Sequence, residues 1–285
     1  MRTILVAMLF LPFVAFCNGP NPLVLQGSQK LYYYLNAYTQ ADGSAPNSEA
    51  LTRFIKTLEK KKASVGSQRQ FISYLFNKTH RKFLRSYSSE VTFGQLVHGG
   101  TYNCLTGTAL YALLLDHFEI EYQVIETNHH IFILAQSGDT QALIEATDPE
   151  NGFVEGAEKI RARIEGYRKI ELQKSDAAKT YFEYTTEVYR EVSLDEMLGL
   201  MHYNLSVASY NKQDLVSAIN HLVSATKLYR SSRIDEYSRI VLLTILESDL
   251  APAVKQQCLE KTTEAVGAKL QAALPPAQAQ TSVKY

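Results

Sequence analysis

The chain has 285 residues, 46% of them hydrophobic, and its 29 Lys and Arg balance 29 Asp and Glu. A formally neutral chain carries no global field that would draw it to nucleic acid or to an anionic membrane, so neither is expected as a partner. The length fits one medium domain plus a smaller one, with ample residues to bury a core.

Arg2 supplies the only early charge, and Ile4 to Phe16 is apolar apart from the helix-breaking Pro12. That run is too short to cross a bilayer and has the length of a signal-peptide core. Ala15 and Cys17 stand at the small-residue positions that put cleavage before Asn18. Residues 1–17 therefore read as a signal peptide, and the mature chain as exported, periplasmic or secreted. Lipidation of Cys17 is the alternative; it ranks second because Phe16, directly before it, is bulkier than such a site usually accepts. No later segment is apolar for long enough to cross a membrane, so the mature chain is expected to have no integral membrane segment. Only Cys104 and Cys258 remain outside the presumed signal, too few for a disulfide framework. A free, functional Cys104 is admissible.

Residues 18–22 read as a linker, and two helices are expected after it. Ser48 caps the first, in which Leu51, Phe54, Ile55 and Leu58 recur at helical spacing. Its closing run of Lys60, Lys61 and Lys62 complements the negative end of the helix dipole. Ser67 and Gln70 have capping-box spacing for the second, whose apolar face continues through Phe71, Leu75 and Phe76. From Ser86 to Asn103 periodicity is lost among Gly94, Gly99 and Gly100, and a loop is expected.

An apolar helix then runs from Cys104 to about His117. Strands are expected at Tyr122–Glu126, His130–Ala135 and Leu143–Thr147, the last two joined as a hairpin by Ser137-Gly138-Asp139. A helix followed by an antiparallel meander is an α+β arrangement. Glu155–Glu165 suggests a further helix, and Tyr181–Val192 is open between strand and helix. From Ser193, which forms a capping box with Glu196, everything reads as helical. Residues 199–232 resemble one tetratricopeptide repeat, with Leu205-Ser206 at its Leu-Gly pair and Ala218, Leu222 and Ala225 at its small-large-small positions. His202, Ser209 and Arg230 depart from the usual Trp, Tyr and Pro of that pattern. Leu242–Leu250 and Ala253–Val266 read as a degenerate second unit. So short an array needs to dock on something else. Residues 271–285, rich in Ala, Gln and Pro, read as disordered.

The candidate chemistry lies in the middle. Cys104 opens its helix, where a thiolate would face unpaired backbone N–H groups and the positive end of the dipole. The same amides suit an oxyanion on an acyl carbon attacked by the sulfur. His130 begins a strand, and Asp148 ends the next strand 18 residues on, so a hairpin can set imidazole beside carboxylate. Taken singly, each has a bland alternative. Cys104 can be a small buried hydrophobe, His130 a core histidine and Asp148 a turn residue before Pro149. Their joint order favours a constellation. His129, His130 and Asp148 also offer metal ligands, but adjacent strand residues face opposite ways, and neither metal nor cofactor is expected.

The block from Tyr102 to Phe153 resembles the catalytic core of transglutaminase-like proteins, which share a papain-like cysteine fold. A Cys opens a small-and-apolar helix (Cys104), a strand His is followed two residues on by an aromatic (His130 with Phe132), and an Asp ends the next strand (Asp148). The aromatic is what singles out His130 rather than His129. The resemblance implies N-terminal helices packed on an antiparallel sheet over residues 23–175, joined to a tetratricopeptide-like module over 193–270. It also implies acyl transfer on a protein or peptide substrate. Cys104 would attack an amide or ester, His130 would act as base and then acid, and Asp148 would orient His130. The acyl group would pass to water, as in a peptidase or amidase, or to an amine, as in a transamidase. The absence of any Trp and of a calcium-ligating cluster argues against a calcium-activated cross-linker. The competing expectation is a non-catalytic fold that uses its helical module to bind a protein partner.

Overall fold

A computed structural model describes residues 26–45, 49–128, 130–177 and 189–266. The presumed signal peptide with its cleavage point, the Ser48 cap, His129 and the 271–285 tail lie outside the described residues.

Helix α1 (Gly27–Gln40) was not among the expected elements, although its buried Leu31, Tyr34, Leu35 and Tyr38 follow the i, i+3, i+4, i+7 pattern of a helical face. Helices α2 (Glu49–Ser64) and α3 (Gln68–Phe83) fall where expected, and the Ser67 side chain caps α3 by accepting from the Gln70 N–H. The expected loop after them is more structured than its sequence suggests. It holds strand β1 (Ser86–Tyr87), helix α4 (Phe93–Gly99) and strand β2 (Thr101–Tyr102), with β1 parallel to β2. Helix α4 forms despite Gly94 because Thr92 and Gln95 make a full capping box while Phe93, Leu96 and Val97 are buried. Gly100 ends it with φ 76°, a left-handed turn in which other residues are strained.

Helix α5 (Cys104–His117) is the hub of this half, buried continuously from Leu105 to Leu115. A helix apolar all round must be enclosed on every side. Strands β3 (Tyr122–Thr127), β4 (Ile131–Ser137), β5 (Thr140–Ile144), β6 (Phe153–Glu155) and β7 (Tyr189–Glu191) form one antiparallel sheet in the order β6-β5-β4-β3-β7. The expected hairpin is β4–β5, turning at Gly138 with φ 66°. Strand β7 resolves the described part of the segment left open between strand and helix. The fold is thus mixed α+β. One sheet face, with Ile131, Ile133 and Ala135, joins the core around α5. The other, with Ile125, Phe132 and Leu143, is covered by Ile160 of helix α6 (Ala157–Ala177). Gly107 lets α5 lie close to the chain beyond β5, since a Cβ there would come within 2.8 Å of the Ala146 Cβ.

Strand β5 stops at Ile144, three residues short of the expected end at Thr147. The Glu145 N–H still bonds the Gly152 carbonyl, and the chain then turns through residues 146–152 with a bond from the Gly152 N–H to the Asp148 carbonyl. Asp148 therefore sits in a turn, not at a strand end.

Helices α7 (Leu194–Asn211), α8 (Leu215–Leu228), α9 (Ser232–Glu247) and α10 (Pro252–Val266) complete the described chain. The main core runs from Leu31 to Cys258 without division, so these helices pack directly on the sheet-bearing part. Tyr38 Oη donates to the Leu194 carbonyl at 2.8 Å, and Tyr34 Oη to Asp195 at 2.9 Å. On the sheet, buried Glu126 of β3 accepts from Tyr229 Oη at 2.6 Å and pairs with Arg233 at 3.4 Å, both from the helical segment. Arg190 of β7 closes the cluster 3.8 Å from the same carboxylate. Among the described residues no helix is long and apolar enough to cross a membrane.

Removing the Tyr229 hydroxyl leaves a buried carboxylate short of its closest donor. Tyr229→Phe is expected to cost about 1.5–3 kcal/mol, the range for a hydrogen bond to a charged group. Because one core serves both parts, thermal unfolding should remain a single transition with a lowered midpoint, which circular dichroism would record. An unchanged midpoint would remove the Glu126 cluster as the clasp.

Candidate active site

The N-terminus of α5 is built by a reciprocal cap. Asn103 Oδ1 accepts from the Thr106 N–H at 2.9 Å, and Thr106 Oγ1 accepts from the Asn103 N–H at 3.0 Å. Asn103 Nδ2 also donates to the Ser89 carbonyl at 3.1 Å, tying the preceding loop to the helix start. Cys104 is the first helical residue, free and partly exposed. Its N–H and that of Leu105 belong to the first turn, which has no carbonyl one turn back to bond. Cys258 differs: it is buried in α10, and burial pushes its thiol pKa up.

His130 lies just before β4 rather than in it. Its N–H donates to Thr127 Oγ1 at 3.1 Å and its carbonyl accepts from the Thr127 N–H at 2.8 Å, which fixes the turn that presents the ring. The imidazole has two side-chain partners, Cys104 and Glu145. Nε2 meets Glu145 Oε2. Tyr167 of α6 packs over the ring, with centroids 4.8 Å apart.

Glu145, just past the end of β5, is 2% exposed. Such burial is tolerable for a carboxylate only when its oxygens are filled. Oε1 accepts from the Thr147 N–H at 2.9 Å and from Thr147 Oγ1 at 2.7 Å. Oε2 takes His130 and, at 3.0 Å, Tyr167 Oη. Burial alone would raise the carboxyl pKa, but the bonds from His130 and Thr147 hold it below the usual range. For His130 burial presses the pKa down, and the bonds to Cys104 and Glu145 outweigh it and raise it to about 9. The imidazole is therefore charged at neutral pH.

Of the three residues expected to act together, Cys104 and His130 meet. Asp148 does not reach His130. Its carboxylate accepts from Arg163 Nη2 at 2.6 Å and from the Asn151 N–H at 2.9 Å, and these bonds lower its pKa against a desolvation effect that would raise it. Arg163 Nε in turn donates to Tyr167 Oη at 3.0 Å. Asp148 thus stands at the far end of a chain through Arg163 and Tyr167 to Glu145. The place expected of Asp148 is held by Glu145, 15 residues after His130. The sequence signal was present in Glu145-Ala146-Thr147, an acid just before a short polar residue that can fill its second oxygen.

His80 of α3 backs the site from the core. Burial lowers the pKa of its imidazole. Among the described residues no group of three or more His, Cys, Asp or Glu is arranged to hold a metal ion.

The chain was compared with protein-family models, curated proteins and solved structures, and none of them matches it. Its functional reading rests on the geometry of its own residues.

Glu145→Gln removes the negative charge that orients and stabilises the imidazolium beside Cys104. It is expected to slow iodoacetamide alkylation of Cys104 at pH 7 by roughly tenfold, about 1.4 kcal/mol of lost stabilisation. Asp148→Asn should change it by no more than about twofold, since it acts only through Arg163 and Tyr167. Rates followed by intact mass would check both. The reverse order would restore Asp148 as the orienting acid.

Proposed function

We propose that the chain is a thiol-dependent acyl transferase or hydrolase of transglutaminase-like type, acting on amide bonds. The observation that carries this reading is the placement of His130 between Cys104 and a buried, fully hydrogen-bonded carboxylate. A nucleophile, a base and a group that orients the base are the parts that acyl transfer requires. A Cys at a helix start and a His beside an antiparallel strand also agree with the transglutaminase-like resemblance, with Glu145 in the acid position.

The thiolate, not the thiol, is the nucleophile of a cysteine. The thiolate attacks the amide carbonyl, and a C–S bond forms as the carbonyl π electrons move to oxygen. The N–H groups of Cys104 and Leu105 stand where that oxyanion would gain from donors fixed in advance. As the tetrahedral centre collapses, the C–N bond breaks and His130 gives its proton to the departing amine. The neutral imidazole then takes a proton from water or a second amine, which attacks the thioester, and the thiolate–imidazolium pair is restored. Glu145 keeps the ring oriented throughout and remains ionised. The same proposal includes export after loss of residues 1–17, on the strength of the N-terminal sequence alone. It also reads α7 and α8 as a tetratricopeptide-like hairpin, supported by the buried Ala218, Leu222 and Ala225 of α8.

The test is to trap the thioester. Wild-type protein incubated with p-nitrophenyl esters of short N-acyl peptides should release nitrophenol and show a transient acyl adduct on Cys104 in its intact mass. Cys104→Ala should show neither, and His130→Ala should be slower by about 100-fold or more, the usual worth of a positioned base. No adduct on a folded wild-type chain would favour a purely binding role.

A further inference from the structure

A cavity of about 350 Å³ opens beside the first turn of α5. Asn103, Leu105 and Thr106 line it, so it adjoins Cys104 on both sides in sequence. Its floor is apolar: Tyr38, Phe93, Leu105 and Met201 are each 1–6% exposed. Leu205 and Ala208 of α7 form part of one wall, one turn apart on the same helix face. The opposite wall is the segment from Ser89 to Gln95 leading into and through the start of α4.

Both walls are held in place. The Asn103 bond to the Ser89 carbonyl pins one, and Gly94 is pressed so tightly on Ser44 that a Cβ would come within 2.1 Å of its Oγ. Tyr38 and Tyr34 pin the start of α7 through Leu194 and Asp195. Asp42, which reaches the cavity, has its carboxylate taken by the Ser44 and Gly94 N–H groups. At the mouth an exposed Glu90 is offset by an exposed Lys212. The space is preformed and largely apolar within, and Asp42, Glu90 and Lys212 leave its lining one net negative charge. Its volume is at the lower end of the range for ligand sites, enough for one or two residues of a peptide.

We infer that this cleft binds the acyl side of the substrate through an uncharged apolar side chain of about leucine size, next to the attacked carbonyl, and that α7 is therefore a specificity element of the active site. This rests on the acyl-transfer reading above. A charged side chain would lose hydration against a floor with no free counter-ion, whereas an apolar one removes that floor from water. In this arrangement the C-terminal helices complete the site.

Peptidyl chloromethyl ketones bearing Leu, Gly or Glu next to the warhead test the inference, with iodoacetamide as the small reference. The Leu reagent should label Cys104 at least about tenfold faster than the Gly reagent, a discrimination typical of an apolar pocket, and the Glu reagent should be slowest. Ala208→Phe, which fills the cleft, should remove most of the Leu-over-Gly ratio. Asn204→Trp, at an exposed position on the same wall, serves as the second variant should Ala208→Phe not fold. Equal Leu and Gly rates in the wild type, or an unchanged ratio in a folded variant, would overturn the assignment of the cleft. The acyl-transfer reading would survive that result if iodoacetamide labelling still depended on His130. Labelling by iodoacetamide that is indifferent to His130→Ala would instead overturn the reading on which the cleft depends.

Discussion

The buried carboxylate of Glu145 is the constraint around which the site is arranged. At 2% exposure it cannot remain ionised unless donors surround it, and four come from three directions. Thr147 supplies two from the turn that follows, which is why β5 must stop at Ile144. Tyr167 supplies one from α6, which ties the outer face of the sheet to the site. His130 supplies the last from the turn just before β4, and the same ring has Cys104 as its other side-chain partner. Without any one of them the carboxylate would be under-satisfied at considerable cost, so the geometry that orients the imidazole is also the geometry that the fold needs.

The same economy joins the two halves of the chain. Helix α5 is too apolar to face solvent anywhere, and the sheet, α1 and α7 together enclose it. Glu126 repeats at the other end of the sheet what Glu145 does at the site: a buried acid whose donors come from elements distant in sequence, here Tyr229 and Arg233. The helical segment thereby becomes part of one core rather than an appendage. Its first helix, α7, is held against the start of α5, where the chemistry is proposed.

Much of this was legible in the sequence. Periodicity located α2 and α3, an unbroken apolar run located α5, and the chain from Ser193 onward read as helical, although α9 starts at Ser232, well before the expected Leu242. Cys104 is legible because a cysteine that opens a helix after a glycine-bearing loop is chemically conspicuous. His130 was chosen over His129 by the aromatic two residues on, and His129 lies outside the described residues. Glu145 escaped notice for a physical reason. Leu143, Ile144 and Ala146 extend an apolar run that looks like strand, and within it a glutamate has no local sign of being buried. Its donors, apart from Thr147, lie 15 and 22 residues away. Asp148 stands out in the sequence as the acid expected to end the next strand, in the order the transglutaminase-like resemblance requires, but β5 ends earlier, at Ile144. In the sequence three consecutive tyrosines hide the regular 3-and-4 spacing of α1, and the glycines of α4 outweigh its capping box when read in isolation.

The central claim is that His130 is shared between the Cys104 sulfur and the Glu145 carboxylate. The measurement that meets it most directly is an NMR titration of the His130 imidazole, in the wild type and in Cys104→Ser. The account predicts a wild-type pKa of about 9, with the ring charged through neutral pH, and a clear fall once the sulfur is replaced. Titration near the ordinary histidine value of about 6.5, unmoved by Cys104→Ser, would contradict it.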